Sequence, residues 1–135
     1  MKLYTYLNYN GNCQEAFRFY EQHLGGKITM MMTHGQAPSL SAVPPHWKEA
    51  ILHARMNIGE TELMGADIPN CQPMRSAYLT LLVSSIDEAE RIYATLSDGG
   101  EIFMPMTETF FAFRFGQLRD KFGTSWMILH ERPRS

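Results

Sequence analysis

The chain has 135 residues, of which 44% are hydrophobic and 19% charged, and its formal net charge is −2. That length suits one domain or two small modules, and it can bury a core without disulfides or metals. The slightly acidic balance argues against a nucleic-acid binder, which needs a concentrated basic face. No apolar run reaches the ~20 residues that span a bilayer, and the N-terminus does not resemble a signal peptide. We therefore expect a cytoplasmic protein, with no membrane partner, whose Cys13 and Cys71 are free thiols.

The first half of the sequence predicts one helix among four strands. Residues 3–9 alternate as a strand does, and Asn12 follows as a candidate helix N-cap. An amphipathic pattern predicts a helix over residues 13–24, which ends at Gly25 because glycine accepts the left-handed C-cap conformation. The remaining strands are predicted over residues 27–33, 51–58 and 61–66.

The least regular part of this half is residues 34–49, with prolines at 38, 44 and 45. A connection this long inside a small domain is usually functional or mobile. We interpret this segment as a candidate lid or dimer contact.

The second half repeats the order of the first. Gly-Gly-Lys-Ile-Thr-Met at residues 25–30 recurs as Gly-Gly-Glu-Ile-Phe-Met at residues 99–104, and other landmarks recur at nearly the same offset. Ordered recurrences of this kind indicate duplication. The predicted elements are a strand over 77–83, a helix from about residue 86 capped by Ser85 or Asp87, and strands over 101–106, 110–118 and 125–130.

These elements predict an α+β fold of duplicated βαβββ modules, with residues 1–72 as the first module and its linker and residues 73–135 as the second. The alternative is a ferredoxin-like dimeric α+β barrel, which also alternates helices with antiparallel strands. It has fewer strands per helix than this sequence indicates.

Three motifs carry a family resemblance. They are Tyr6-Leu7 in the first strand, Glu15-Ala-Phe-Arg-Phe-Tyr20 in the first helix and Asp120-Lys-Phe-Gly-Thr-Ser-Trp126 before the last strand. Together with the duplicated order they resemble the vicinal oxygen chelate superfamily of glyoxalases, bleomycin-resistance proteins and dioxygenases, and within it the PhnB-like branch. The resemblance implies a cup-shaped, antiparallel-rich sheet with helices outside, a small-molecule cavity and, as in many members, a homodimer.

Catalytic members of that superfamily hold one divalent metal, which acts as a Lewis acid on substrate oxygens. The resemblance transfers the ligand positions to Tyr4, Leu63, Tyr78 and Met127. Such an ion needs imidazole, carboxylate or several oxygen ligands, and neither leucine nor neutral tyrosine meets that need. We therefore predict no metal site and no cofactor, a divalent metal being implied by family analogy only.

Candidate site residues follow from strand alternation. His53 and Arg55 fall on the face opposite the presumed helix side, and His53 is the candidate catalytic residue, the alternative being a half-exposed strand histidine. Arginines can clamp an anion through paired N–H donors, although they can equally lie on the surface or in a dimer interface. The predicted ligand-binding residues are Tyr4, Tyr6, Arg55, Tyr78, Arg114 and Met127.

The leading functional hypothesis is a small-molecule binding protein without the superfamily's usual metal. The alternative is an enzyme of the same fold, of lyase, isomerase or dioxygenase type, that uses His53 as a general base with an arginine, or an unconventional metal site. A third reading makes the dimer surface itself the function. No Gly-x-Ser-x-Gly elbow, phosphate-binding glycine loop or His-Glu-x-x-His is present, so the sequence identifies no substrate.

Overall fold

Residues 1–37 and 45–133 are described by a computed structural model. The middle of the predicted lid or dimer-contact segment, residues 38–44, lies outside this range. Two 3-10 turns, His34–Gln36 and Pro45–Trp47, flank it. The amide of His34 donates to the carbonyl of Ala50 at 2.9 Å, and that of Gly35 to Lys48 at 2.9 Å. The two ends of the segment are therefore tied together beside the sheet.

The chain divides into two compact units, Met1–Gln72 and Pro73–Ser135, and each has the order βαβββ. This confirms the predicted fold class. None of the described helices has the length and hydrophobicity that crossing a bilayer requires. The elements of the first unit are β1 (Thr5–Tyr9), α1 (Cys13–Leu24), β2 (Lys27–Thr33), β3 (Ile51–Ile58) and β4 (Thr61–Asp67), and those of the second are β5 (Leu79–Leu82), α2 (Ile86–Ser97), β6 (Glu101–Thr107), β7 (Ala112–Arg119) and β8 (Ser125–Glu131).

Both units form a four-stranded sheet with the same topology, β1-β4-β3-β2 in the first and β5-β8-β7-β6 in the second. The first strand of each unit pairs in parallel with the last, and the other pairs are antiparallel. The predicted first strands began two residues too early in each module, because ladder pairing starts only at Thr5 opposite Leu63 and at Leu79 opposite Trp126.

Each helix packs its apolar stripe on one face of its own sheet and lies close to a strand glycine. A Cβ added at Gly65 of β4 would lie 2.9 Å from Cζ of Phe17 on α1, and one added at Gly116 of β7 would lie 2.8 Å from Cε2 of Tyr93 on α2. Both aromatic side chains are buried. Only a residue without a side chain permits this approach, so each glycine sets the distance between helix and sheet.

The first helix is capped from a distant strand. Asn12 stands at the predicted N-cap position, but its backbone (φ −117°, ψ 23°) is not the extended conformation of a cap, and its side chain makes no capping hydrogen bond. Oδ1 of Asp67 instead accepts from the amides of Gly11 at 3.0 Å and Cys13 at 2.9 Å, while Oδ2 accepts from Ile51 at 2.8 Å. The buried carboxylate thus joins α1, β3 and β4. The second helix is capped locally, since Oγ of Ser85 accepts a hydrogen bond from the amide of Glu88, the third residue of α2, at 3.1 Å.

A second buried carboxylate explains the motif before the last strand. Oδ1 of Asp120 accepts from the amides of Phe122 at 2.9 Å and Thr124 at 3.0 Å, and Oδ2 accepts from the indole nitrogen of Trp126 at 2.8 Å. These bonds shape the turn between β7 and β8. The residue types at both ends of the motif are therefore needed for its geometry.

Candidate functional site

Each sheet has one face covered by its own helix, and the opposite face is called here the open face. In β3, Ala54 and Met56 are fully buried on the helix side, which leaves His53 and Arg55 on the open face, as predicted from alternation. The register places Met64 of β4 between Arg55 and Tyr6 of β1. The open face of the first sheet therefore carries Tyr6, His53 and Arg55 together.

Tyr6 and His53 form a stacked pair across the intervening strand. Their ring centroids lie 5.9 Å apart with an interplanar angle of 27°, and the phenol oxygen is 3.4 Å from Nδ1 of His53. Partial burial and, to a lesser degree, the nearby Cys13 raise the pKa of Tyr6 above its usual value. The raised pKa keeps the phenol protonated at neutral pH. Its hydroxyl group and Nδ1 of His53 can share a hydrogen bond, so the pair presents two aromatic surfaces with a polar edge.

Arg55 is held by an ion pair on the same face. Its Nε and Nη2 both approach Oε1 of Glu62 on β4, at 3.0 and 2.5 Å. The two side chains are 38% and 25% exposed, so the pair is only partly shielded from water. An anionic ligand would have to compete with Glu62 for this guanidinium, and the predicted role of Arg55 as an anion clamp therefore requires the pair to open.

Tyr4 precedes β1 and lies at the rim of the first module rather than beside His53. It is 44% exposed and lines a wide, open depression of about 610 Å³ together with Lys2, Asn57, Glu60 and Glu62. The depression is polar on the side of the two glutamates. The structure thus separates Tyr4 from the Tyr6–His53 pair, although both tyrosines belong to the predicted set.

Of the candidates in the second module, Tyr78 and Met127 lie on the open face and Arg114 does not. Met127 pairs with Thr80 and Gln117 in the sheet. Arg114 instead donates from Nε to Oε1 of Glu90 on α2 at 3.0 Å, which puts it on the helix side. Ligand binding by Arg114 stays a prediction and would require a site on the helix side, because alternation groups this residue with Ala112 and Gly116, which are buried under α2.

Tyr78 lies in a cluster with two residues that the sequence analysis did not select. Its ring meets that of Phe103 edge-on, with centroids 6.3 Å apart, and the guanidinium carbon of Arg119 lies 5.4 Å from the centroid of Phe103. These three residues line a cavity of about 180 Å³ with Arg75 and Ser76. Strand alternation places Phe115, Gln117 and Arg119 on the same face of β7, and this pattern could have identified Arg119 from the sequence.

The residues at the family's metal-ligand positions do not fit a divalent ion. Leu63 points to the helix side, where it is 4% exposed, so Glu62 and Met64 are the neighbouring side chains on the open face. Glu62 is already paired with Arg55. Among residues 1–37 and 45–133, no group of three or more His, Cys, Asp or Glu side chains could hold a metal ion. A single carboxylate beside tyrosines is a poor donor set for such an ion.

The buried cysteine is a structural residue of the first module. Cys13 is fully buried at the start of α1, and burial, with Asp67 nearby, raises the pKa of its thiol. A nucleophilic cysteine needs a lowered pKa and access to solvent. Cys71 is more exposed and donates to the carbonyl oxygen of Asn8 at 3.1 Å; burial likewise raises its pKa. Both thiols are free, as expected.

Comparison with known proteins gives the family. A family model described as 3-demethylubiquinone-9 3-methyltransferase matches residues 1–129. Protein YjdN of Escherichia coli (strain K12) is 33% identical over 138 residues, which cover 95% of this chain and 94% of YjdN. The crystal structure of protein PA1353 from Pseudomonas aeruginosa is similar with a TM-score of 0.87 and 38% identity, covering 98% of this chain and 99% of that one.

More distant structures show the same fold. A putative 3-demethylubiquinone-9 3-methyltransferase, PhnB protein, from Bacillus cereus has a TM-score of 0.81 at 24% identity, over 96% of this chain and 99% of its own. A glyoxylase/bleomycin resistance protein/dioxygenase domain from Frankia sp. EAN1pec has a TM-score of 0.68 at 13% identity, over 98% of both chains. The chain therefore has the glyoxalase/bleomycin resistance/dioxygenase fold, and it belongs to the PhnB-like family whose model is described as 3-demethylubiquinone-9 3-methyltransferase.

Proposed function

We propose that this protein binds a small aromatic molecule on the open face of its first module, against the stacked Tyr6–His53 pair. The observation that supports this most directly is the nearly parallel arrangement of the two rings, with the phenol oxygen beside the imidazole Nδ1. Tyr6 is 47% exposed, so a ligand ring can extend the stack. An aromatic pair of this kind contributes about 0.5–1.5 kcal/mol beyond the area it buries.

The surroundings favour a polar but uncharged ligand. The Arg55–Glu62 pair offers N–H donors and a carboxylate acceptor while adding little net charge. Met30, Met32 and Met64 share this face and are half-buried. Methionine side chains adapt to irregular shapes and contact aromatic rings favourably. A flat ligand with both donor and acceptor groups would suit this wall.

The proposal has two further parts, of which the family resemblance supports the first. Many members of the superfamily pair their modules in a homodimer, and we propose the same for this chain, together with a cytoplasmic location. Light scattering at several protein concentrations measures the oligomeric state directly. A mass equal to one 15.5 kDa chain at all concentrations would contradict the dimer.

The alternative is an enzyme that uses His53 as a general base. The contact that favours it is the same 3.4 Å approach of Tyr6 to Nδ1, because a phenol and an imidazole together can relay a proton. The arginine that assists this base would be Arg55, whose ion pair with Glu62 must first break. The family description names a methyltransferase, so S-adenosylmethionine belongs in the assays beside the substrates of lyases, isomerases and dioxygenases.

A melting-temperature screen of small aromatic compounds tests the proposal. Compounds that stabilise the wild-type protein are then titrated against Tyr6→Leu, His53→Ala and a control, His46→Ala. His46 is exposed and lies outside the first sheet. We expect affinity to fall at least tenfold, or about 1.4 kcal/mol, in the first two variants and to stay unchanged in the control.

Two results would overturn the binding proposal. One is a complete screen in which no aromatic compound raises the melting temperature. The other is a set of ligands that bind Tyr6→Leu and His53→Ala as tightly as the wild-type protein. The enzyme alternative is decided separately, because turnover that disappears in His53→Ala supports it, and turnover that persists there contradicts His53 as the base.

A further inference from the structure

We propose a second binding site, for a small aromatic carboxylate, in the cavity of the second module. This goes beyond the proposed function, because it concerns different residues and a ligand of different charge. The cavity has a volume of about 180 Å³ and is lined by Arg75, Ser76, Tyr78, Phe103 and Arg119. It is bounded by the stretch before β5, by β6 and by the end of β7.

Arg119 is positioned as an anion-binding group. Its guanidinium packs against the ring of Phe103, and Nη1 donates to the carbonyl of Met74 at 3.4 Å. Nη2 lies 3.3 Å from Oε2 of Glu101, whose side chain is 59% exposed while that of Arg119 is only 17% exposed. An ion pair with one partner this exposed contributes little to stability, so a carboxylate in the cavity can compete with Glu101 for the guanidinium of Arg119.

Arg75 adds a second positive charge to the same cavity. Its side chain is exposed, and within the part of the chain that the structure describes no hydrogen bond or ion pair engages it. Glu101 is not among the lining residues. Two arginines thus converge on a space without a lining carboxylate, and an anion bound there would relieve the repulsion between them. Guanidinium groups pair with carboxylates in a two-point geometry that adds both energy and orientation.

The remaining lining residues favour an aromatic body on that anion. Tyr78 and Phe103 meet edge-on at an angle of 75° and form an apolar wall beside the arginines. The hydroxyl groups of Ser76 and Tyr78 can add hydrogen bonds to the carboxylate. About six water molecules at their liquid volume would fill 180 Å³. That space suits a molecule of benzoate size, and inorganic phosphate would leave the ring wall uncovered.

Calorimetric titration of the full chain with benzoate tests this site, with benzamide and inorganic phosphate as probes of charge and of the ring. The variants are Arg119→Gln and Arg75→Gln, and Arg91→Gln is the matched control, because it removes an exposed arginine of α2 in the same module. We expect benzoate to bind the wild-type protein and the control equally. In either cavity variant its affinity should fall at least tenfold. In the Tyr6→Leu variant, which lacks the stacked pair of the first module, benzamide and phosphate should each bind at least tenfold more weakly than benzoate.

Three results would overturn the proposal: no benzoate binding, equal benzoate affinity in both cavity variants and the wild type, or equal affinity of the Tyr6→Leu variant for benzamide and benzoate. Arg75 is on the surface, so Arg75→Gln remains informative even if Arg119→Gln does not fold. Tyr6→Leu separates this site from the one in the first module, since we expect that substitution to leave benzoate binding unchanged. Loss of benzoate binding in Tyr6→Leu would assign the ligand to the first module and contradict a second site.

Discussion

The carboxylate of Asp67, at the end of β4, accepts a hydrogen bond from the amide of Cys13, the first residue of α1, at 2.9 Å. Its two oxygens together accept three backbone N–H bonds, of which those from Cys13 and Ile51 are buried. Each of those amides would be left without a partner if the carboxylate were absent. The contact therefore fixes where the helix begins relative to the sheet.

Asp67→Asn should lower the free energy of unfolding by about 1–3 kcal/mol. The side-chain NH2 group of asparagine would face a backbone N–H that donates to a carboxylate oxygen in the wild-type protein. Urea denaturation followed by circular dichroism measures this. Asp98→Asn, at an exposed carboxylate after α2, is the matched control and should stay within about 0.5 kcal/mol of the wild type. Equal stability of the two variants would contradict the capping role.

Trp126→Phe should destabilise the second module by about 1.5–3 kcal/mol. The indole N–H donates to Oδ2 of Asp120 at 2.8 Å, and phenylalanine would leave this buried carboxylate oxygen without that donor. Trp47→Phe, at a half-buried tryptophan in a 3-10 turn, provides the comparison and should reduce stability clearly less than Trp126→Phe. Thermal unfolding of both variants decides between them, and a larger loss in Trp47→Phe would be the contrary result.

Gly65→Ala should cost about 1–3 kcal/mol, because the added methyl group would lie 2.9 Å from the ring of Phe17 and 3.1 Å from the carbonyl oxygen of Leu7. Phe17→Leu removes the ring, so Gly65→Ala should reduce the free energy of unfolding by less in that variant than in the wild type. A double-mutant cycle measures this coupling. Fully additive losses would show that helix packing is not what requires glycine at this position.

Alkaline pH should weaken the fold through Cys13. Burial raises the pKa of this thiol above the 9.0 of a free cysteine, so the folded state holds the proton more tightly than the unfolded state. The resulting stabilisation is complete below about pH 9 and declines as the pH rises towards the folded-state pKa, by up to about 1.4 kcal/mol per pH unit. Tyr6 and Cys71 change in the same direction.

Urea unfolding at about pH 8 and about pH 10.5 tests this pH dependence. Cys13→Ala should be less stable than the wild type at the lower pH, because it leaves a small cavity. Between the two pH values, the free energy of unfolding of Cys13→Ala should nevertheless fall by less than that of the wild type. Cys71→Ser serves as a control for the more exposed thiol. An identical pH dependence in Cys13→Ala and the wild type would contradict the assignment.

Local patterns account for what was predicted correctly from the sequence. The helix over residues 13–24 and the strands over 27–33 and 51–58 agree with the structure in both bounds, because their amphipathic periods and terminating glycines are encoded within a few residues. The strand alternation at His53 and Arg55 likewise shows which side chains share a face. Duplication was visible for the same reason, since each copy carries its own signals.

Contacts between distant residues account for what could not be predicted from the sequence. Asn12 has the right residue type for a cap, but the carboxylate that performs this role is Asp67, on a strand whose position depends on parallel pairing. The stacking of Tyr6 on His53 depends on the register of two strands with β4 between them. Arg114 suggested a ligand role by its charge, and only the packing of α2 reveals its partner Glu90.

The parallel pairing of β1 with β4 has a consequence for synthesis on the ribosome. Thr5 pairs with Leu63, and the capping carboxylate at Asp67 is translated later still. At about 5–20 residues per second, the nascent first strand waits several seconds for its partner. During that interval the emerging segment exposes an unpaired strand edge and an uncapped helix, so a chaperone that shields the first 60 or so residues should raise the yield of folded protein.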